Sequence, residues 1–331
     1  MSRLAVIVPA TDAPPTLERC VAAIGAADAP PDELVVVETP ERATPAVARN
    51  LGVARSTSEI VVFVDSDIVV AADAFTRIRE HFERDPGLAA VFGAYDDEIA
   101  TARLTARFRN LLHHYVHARS AGPASTFWAG IGAMRRDSFE RAGGFHEERP
   151  TSIEDVELGL RLTDIGARII LDPTIRGTHL KEWTFEQMVA TDFSRRGIPW
   201  VHLLLERREV PTTLNLGWSE RVSALASVSA VALLLRRRPF AAVAAAGLLL
   251  PLNRGFYALL RRRLGTPAAV AAVPLHVAHH VTAAAAVPAG LATFALGRRV
   301  PGRPSLTADD TDVPDPRADP AVPTRRTADA R

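Results

Sequence analysis

Four short apolar runs rich in β-branched residues, LAVIVP (4–9), LVVVE (34–38), IVVFVD (60–65) and LAAVFGAY (88–95), punctuate the start of the chain. Stretches of helical periodicity separate them: Thr16 to Ala27, with Leu17, Val21 and Ile24 on one face, then Pro45 to Arg55, then Ala72 to Arg84. Unbroken apolar runs mark strands covered on both faces, and strands alternating with helices mark βαβ units. The chain is therefore expected to fold as an α/β domain with a mainly parallel sheet and flanking helices. An amphipathic helix over 102–119 follows, then shorter helices and strands to about 206.

Charge is distributed unevenly. Of 331 residues, 39 are basic and 38 acidic, yet residues 1–206 carry a net −8 and residues 207–299 a net +10. An acidic first domain is the wrong surface for nucleic acid. The basic part coincides with the most apolar stretches, which points to a membrane surface. One cysteine, Cys20, excludes an intrachain disulfide and a cysteine-built zinc or iron–sulfur centre, and fits a reducing compartment. The apolar run before Pro9 is too short for a signal-peptide core and is expected to be a strand.

After Pro211 the uncharged runs are 222–235, 239–253 and 264–297, divided by Arg236–Arg238 and by a segment ending Arg261–Arg263. A crossing helix needs about 20 apolar residues, so only the 34-residue run 264–297 is long enough alone, with Pro267, Pro274 and Pro288 expected to kink it. The two shorter runs suit a hairpin, a re-entrant pair or a buried bundle. NRGFYALLRRR (253–263) reads as interfacial, aromatics on one side and arginines on the other. The last 32 residues, with six prolines and no apolar periodicity, read as a disordered tail. The expected organisation is a catalytic domain over 1–210, membrane-associated helices over 211–299 and a tail over 300–331.

The strongest chemical signal is VVFVDSDIVV. Asp65 and Asp67 close an apolar strand at the end where open α/β sheets bind ligands, and two carboxylates so spaced can hold a hard divalent cation that bridges a diphosphate. Strand-ending aspartates also serve merely as turn caps. TSIEDVELGLRL places Glu154 and Asp155 at a helix start, where an acid can act as a proton acceptor; Ser152 with Asp155 equally reads as a capping box. Glu38 ends the second strand, and Arg49 and Asn50 lie on the following helix, positions suited to a nucleoside and a phosphate or to a surface ion pair. FWAGIGAMRR sets Gly130 and Gly132 beside Trp128, allowing close backbone approach to a ligand or a plain turn. His179 follows RIILDP and is a candidate metal ligand. His113, His114 and His117 share one helix without the acid of an HExxH pattern. His276, His279 and His280 sit in the last apolar run, where an interfacial position accounts for them.

In order and spacing, VIVPATDAPPTLERCVAAI, VVVETP, PAVARNLGVARSTSEIVVFVDSDI, FWAGIGAMRRDSFERAGGFHE and IEDVELGLRLTDIGARI resemble the successive motifs of family 2 glycosyltransferases of GT-A fold, over about residues 4–200. LNRGFYALLRRRLG and PLHVAHH resemble the membrane part of bacterial members whose catalytic domain is cytoplasmic. The resemblance implies a metal-dependent inverting transferase. Its donor would be a nucleotide-diphosphate sugar, its cofactor Mg2+ or Mn2+, and its acceptor lipid-linked or an envelope glycan. By position it casts Asp65 and Asp67 as the DxD pair, Asp155 as general base with Glu154 beside it, and His179 as the late metal ligand. Pro9, Thr11, Glu38, Arg49, Asn50 and Gly130 would lie along the donor. Thr11 stands where an aromatic often stacks on the base, and no QxxRW is present, SRRGIPW (194–200) being only partly similar.

Other readings fare less well. Asp65, Asp67 and Val69 fit the opening of a haloacid-dehalogenase phosphatase, but that fold then needs a lysine followed by an acidic pair; Lys181 is the only lysine, and Asp309–Asp310 falls in the tail. A nucleotidyltransferase would carry a glycine-rich loop after its first strand, where PATDAPPT has no glycine. A non-catalytic membrane scaffold that binds nucleotide sugar is separated by turnover alone.

Overall fold

The computed structural model describes residues 2–148, 152–208 and 217–297. Eight strands form one sheet: β1 (Leu4–Pro9), β2 (Glu33–Val37), β3 (Ile60–Val64), β4 (Ile68–Val70), β5 (Leu88–Tyr95), β6 (Gly122–Ala124), β7 (Ile131–Arg135) and β8 (Arg168–His179). Their order is β2-β1-β3-β7-β5-β8-β4, with β6 also on β8. The strands β1, β2 and β3 run parallel, as do β5 and β8, while β7 is inserted antiparallel between β3 and β5. The expected α/β class with flanking helices is what the chain adopts, in a mixed sheet.

Alternate residues of the central strands feed opposite cores. Leu4, Val6, Val8, Ile60, Val62 and Val64 pack with α1 (Leu17–Gly25), and the α3 residues (Ala74–Arg84) Phe75 and Ile78 join them. Ile7, Val61 and Phe63 face the other way, toward α2 (Pro45–Ala54) and the rings of Phe127, Phe139 and Phe145. This two-sided burial is why those runs carry no polar alternation. The remaining helices of this part are α4 (Leu104–Arg119), α5 (Arg136–Arg141), α6 (Glu154–Asp164), α7 (Phe185–Ala190), a π-helical segment (Thr191–Gly197) and α8 (Ile198–Arg207).

Six further helices follow: α9 (Trp218–Leu235), α10 (Pro239–Gly247), α11 (Leu249–Leu252), α12 (Arg254–Leu264), α13 (Thr266–Ala271) and α14 (Val273–Ala295). The first of these corrects the sequence reading. Residues 218–235 form an 18-residue helix that carries Glu220 and Arg221 in its first turn, so among the described residues two helical stretches, α9 and α13–α14 together (266–295), are long and apolar enough to cross a membrane. The run 239–253 continues across an 88° bend into α12. Pro267 and Pro274 lie in the first turns of α13 and α14, where a missing N–H costs nothing, and of these three prolines Pro288 alone is inside a helix. The boundary expected at 210 and the tail expected from 300 fall outside the described residues.

Three strands have no signal in the sequence reading: β6 is only Gly122–Ala124, β4 is three residues directly after the Asp67 turn, and β7 has Gly132 in its middle, which breaks the β-branched signal.

Candidate active site

The C-terminal ends of β1, β2 and β3 lie side by side, because the three strands are parallel and in register. Pro9 and Thr11 leave β1, Glu38 leaves β2, and Asp65 leaves β3, so all four lie at the carboxyl edge of the strands, where such sheets open a ligand crevice. Glu38 is exposed; the Thr11 hydroxyl donates to the Ala43 carbonyl at 2.8 Å and so ties down the loop before α2.

Arg49 joins the two acidic motifs. It is only 4% exposed. One guanidinium nitrogen donates to Asp65 Oδ1 at 2.7 Å and another to Glu154 Oε1 at 2.8 Å. A buried arginine left without both partners would be costly, so this clasp fixes the end of β3 against the start of α6 although 105 residues separate Arg49 from Glu154. Asn50, the next residue, is directed elsewhere. Its amide bonds the Phe145 backbone in both directions, at 2.9 and 3.0 Å, and reaches Glu147 at 2.8 Å, securing the loop after Gly144.

The loop before β7 completes the clasp. The Gly130 carbonyl accepts from the Asp65 amide at 3.0 Å, and the Ala129 amide donates to Asp155 Oδ2 at 3.1 Å. A side chain at 130 would place Cβ 2.1 Å from the Trp128 ring, so the glycine is demanded by Trp128. The capping box does not form: Glu154 accepts from the Ser152 amide at 2.6 Å, and Asp155 Oδ1 accepts from the Val156 amide at 2.8 Å. Burial, reinforced by neighbouring Glu154 and opposed by Arg49, pushes the Asp155 carboxyl up to about 6. A carboxylate so raised is a better proton acceptor than a free one, while still ionised at neutral pH.

Asp67 faces a different group. Its Oδ2 lies 3.3 Å from His179 Nε2, at the end of β8, where β4 pairs with it. Burial pushes the Asp67 carboxyl up, but the hydrogen bond and charge of His179 overcome this and leave it below the usual range. Asn110 on α4 donates to the His179 carbonyl at 3.3 Å and presents Oδ1 to Nδ1 at 2.7 Å. An amide oxygen only accepts, so Nδ1 carries a proton and the Nε2 of a neutral ring is a bare lone pair. That lone pair confronts a carboxylate, an arrangement that calls for a proton or a metal ion between them. Tyr95 stacks on the same imidazole at 4.3 Å between centroids.

Oxygen donors from Asp65 and Asp67 and an imidazole nitrogen from His179 are a donor set suited to Mn2+ or Mg2+. Asp65 and Asp67 are exposed on their outer edges, at 33% and 25% of their side chains. Among the described residues, no three such groups already converge in metal-binding geometry, and Asp65 spends one oxygen on Arg49. Cys20 lies beneath, its thiol directed to the Asp65 carbonyl at 3.6 Å; burial, then Asp65 and Asp67, pushes it up to about 12, leaving an inert thiol.

Sequence reading missed Asn110 and Tyr95. Asn110 was hidden beside the more conspicuous histidines. Of these, His113 packs on Tyr95, and His113 and His117 pack on each other and on Trp128, with ring centroids 3.9 to 5.2 Å apart.

Residues 35–143 match the family model "Glycosyl transferase family 2", a span that contains Glu38, Arg49, Asp65, Asp67 and Gly130 and stops short of Asp155 and His179. The pre-mycofactocin glycosyltransferases of two Mycobacterium tuberculosis strains are 29% identical over 162 residues, covering 46% of this chain and 34% of theirs. The chain thus spans about a third of the length of those curated relatives. Among solved structures, the mannosyltransferase PcManGT from Pyrobaculum calidifontis, in complex with GDP-Man and Mn2+, superposes with a TM-score of 0.50 at 20% identity, covering 87% of each chain. That likeness is one of fold.

Proposed function

We propose, from the match of residues 35–143 to the glycosyl transferase family 2 model, that this chain transfers a sugar, with inversion, from a nucleotide-diphosphate sugar to an acceptor hydroxyl or phosphate. The acceptor we propose is lipid-linked or an envelope glycan, met at the cytoplasmic face of a membrane. The observation that carries the reading is the Arg49 clasp, which sets the two-aspartate end of β3 and the acidic start of α6 at one crevice.

Each residue then has a task. Pro9, Thr11 and Glu38 border the nucleoside end, and Gly130 brings backbone close to the sugar. Asp155 accepts the proton of the acceptor hydroxyl while its oxygen attacks the anomeric carbon. The bond from that carbon to the diphosphate breaks, and the nucleoside diphosphate departs with the electron pair. The two backbone amides on Asp155 hold its carboxylate in one orientation and leave lone pairs to take the proton. Asp65, Asp67 and His179 would hold the divalent ion, as the Mn2+ named with the Pyrobaculum enzyme supports. When bound, such an ion neutralises charge growing on a departing diphosphate.

The test is release of nucleoside diphosphate from a panel of nucleotide sugars, with and without Mn2+ or Mg2+, in the presence of membrane lipid extract. The proposal expects acceptor-stimulated release with at least one donor and loss of it in Asp155→Asn. Donor binding without turnover, identical in wild type and Asp155→Asn, would show a scaffold instead.

A further inference from the structure

The helix α14, long enough to cross a bilayer, is fastened along its flank to the catalytic domain. His279 Nδ1 lies 2.8 Å from Asp192 Oδ2 in the π-helical segment. A Cβ on Gly197 would meet Ala286 Cβ at 2.5 Å, and one on Gly290 would meet Val201 Cβ at 2.7 Å. His202 Nε2 bonds Thr293 Oγ1 at 2.8 Å. The partners advance together, from 192 to 202 and from 279 to 293, so the two helical segments run side by side over ~21 Å of α14 at 1.5 Å per residue. Further back, the His276 ring packs on Phe108 of α4.

The neighbour of α14 is itself anchored. Leu203 and Trp200 of α8 pack on Ile153 and Leu160, and Arg207 forms a two-pronged pair with Asp164 at 2.9 and 2.5 Å. A helix that traverses ~30 Å of hydrocarbon cannot also lie along the wall of a water-soluble domain for two-thirds of that distance.

The hairpin before it has the same problem. α9 packs on α10 and α14, and Asn253 at the end of α11 donates to Ser223 Oγ near the start of α9 at 2.9 Å, so the chain turns back at Arg236–Arg238. The returning limb, 239–252, is only ~21 Å long, too short to cross. A crossing would also carry the three arginines of the turn through the hydrocarbon.

We propose that residues 218–297 form a flat layer seated in one leaflet of a bilayer, entered from the catalytic side and crossing nowhere. This rests on the membrane association in the function proposed above and specifies its form. The outer face supplies the apolar contact: Trp218, Leu225, Leu235, Phe240, Val243 and Val270 are 61% to 91% exposed. Arg236–Arg238, Arg254, Arg261 and Arg262 of the same segment are exposed as well, and their long side chains can reach lipid phosphates. Helices apolar all round are what such a layer needs, one side against protein and the other against acyl chains.

Three single-cysteine additions test it in the full-length protein: Glu83→Cys on the catalytic domain, Arg236→Cys at the turn and Leu296→Cys after α14. Sealed membrane vesicles of the expression host, prepared in both orientations, are treated with an impermeant maleimide; native Cys20 is buried and stays dark. All three positions are expected to label in the same orientation. Labelling of Arg236→Cys or Leu296→Cys only in the other orientation, or no labelling of Arg236→Cys in either, overturns the proposal. Flotation with phosphatidylglycerol/phosphatidylethanolamine vesicles is the separating measurement. A chain that labels as a crossing protein still floats, so only the flat layer fails, whereas a chain that does not float loses its membrane association, and the layer with it. Nucleotide-sugar turnover in the same preparations reports on the catalytic reading independently.

Discussion

His179 Nε2 and Asp67 Oδ2 lie 3.3 Å apart, and the other ring nitrogen of His179, Nδ1, is held by Asn110 Oδ1 at 2.7 Å. In the proposed ion site Asn110 would set which ring nitrogen meets the cation. Asn110→Leu should weaken Mn2+ binding by about 10- to 100-fold, the usual effect of losing an outer-sphere partner of a ligating histidine. Isothermal titration of metal into the protein with a nucleoside diphosphate present measures this; unchanged affinity would deprive Asn110 of that role.

Removing Asp67 would strip the proposed ion site of an oxygen donor without touching Arg49. Asp67→Ala is expected to abolish metal-dependent binding of the donor nucleotide and to keep the fold, since Asp67 is a quarter exposed. Thermal shift with nucleoside diphosphate, with and without Mn2+, reads both. Equal metal-dependent stabilisation in wild type and variant would remove Asp67 from the site.

The proposed proton acceptance by Asp155 would give the rate an acid limb. With its carboxyl raised to about 6, the group is protonated and unable to accept below that pH. kcat/KM should fall as pH drops through about 6, and Asp155→Asn should flatten the profile at a rate about 10²- to 10⁴-fold lower while donor affinity holds. A profile from the variant that keeps the limb would assign it to another group.

The same shift has a sign for stability. Native Asp155 binds its proton more tightly than in the unfolded chain, so this group's contribution is favourable at low pH and is lost as pH rises through about 6. Asp155→Asn should therefore melt higher than wild type at pH 8, with the difference shrinking toward pH 4. Thermal melts at the two pH values decide it, and they also show that lost transfer is not lost folding.

Arg49 is the structural risk. Arg49→Met would leave Glu154 and Asp65 as neighbouring carboxylates without their counter-charge, at a cost of about 3–5 kcal/mol. Chemical denaturation measures the loss. A change under ~1 kcal/mol would mean the clasp is not what joins the two motifs.

The parallel core was readable because β1, β3 and β5 bury both faces, and such strands write themselves as unbroken apolar runs. β7 was not, since its glycine and arginine answer to Phe127, Trp128 and neighbouring carbonyls that only the folded chain supplies. Asp65, Asp67 and Asp155 stood out in sequence because acids at strand ends and helix starts are conspicuous. Asn110 could not, because its importance lies entirely in facing a residue 69 positions away. Asn50 shows the reverse. It sits beside Arg49 on the same helix, yet one step along α2 turns it through about 100°, away from the crevice and onto the 145–147 loop.

Because Arg49 supplies a permanent counter-charge from inside the protein, the acids of this crevice do not wait for an ion before the polypeptide can close around them. Ion supply and folding are thereby uncoupled: chelation should halt turnover in a molecule that stays intact, and returning the ion should restart it at once, with no refolding in between.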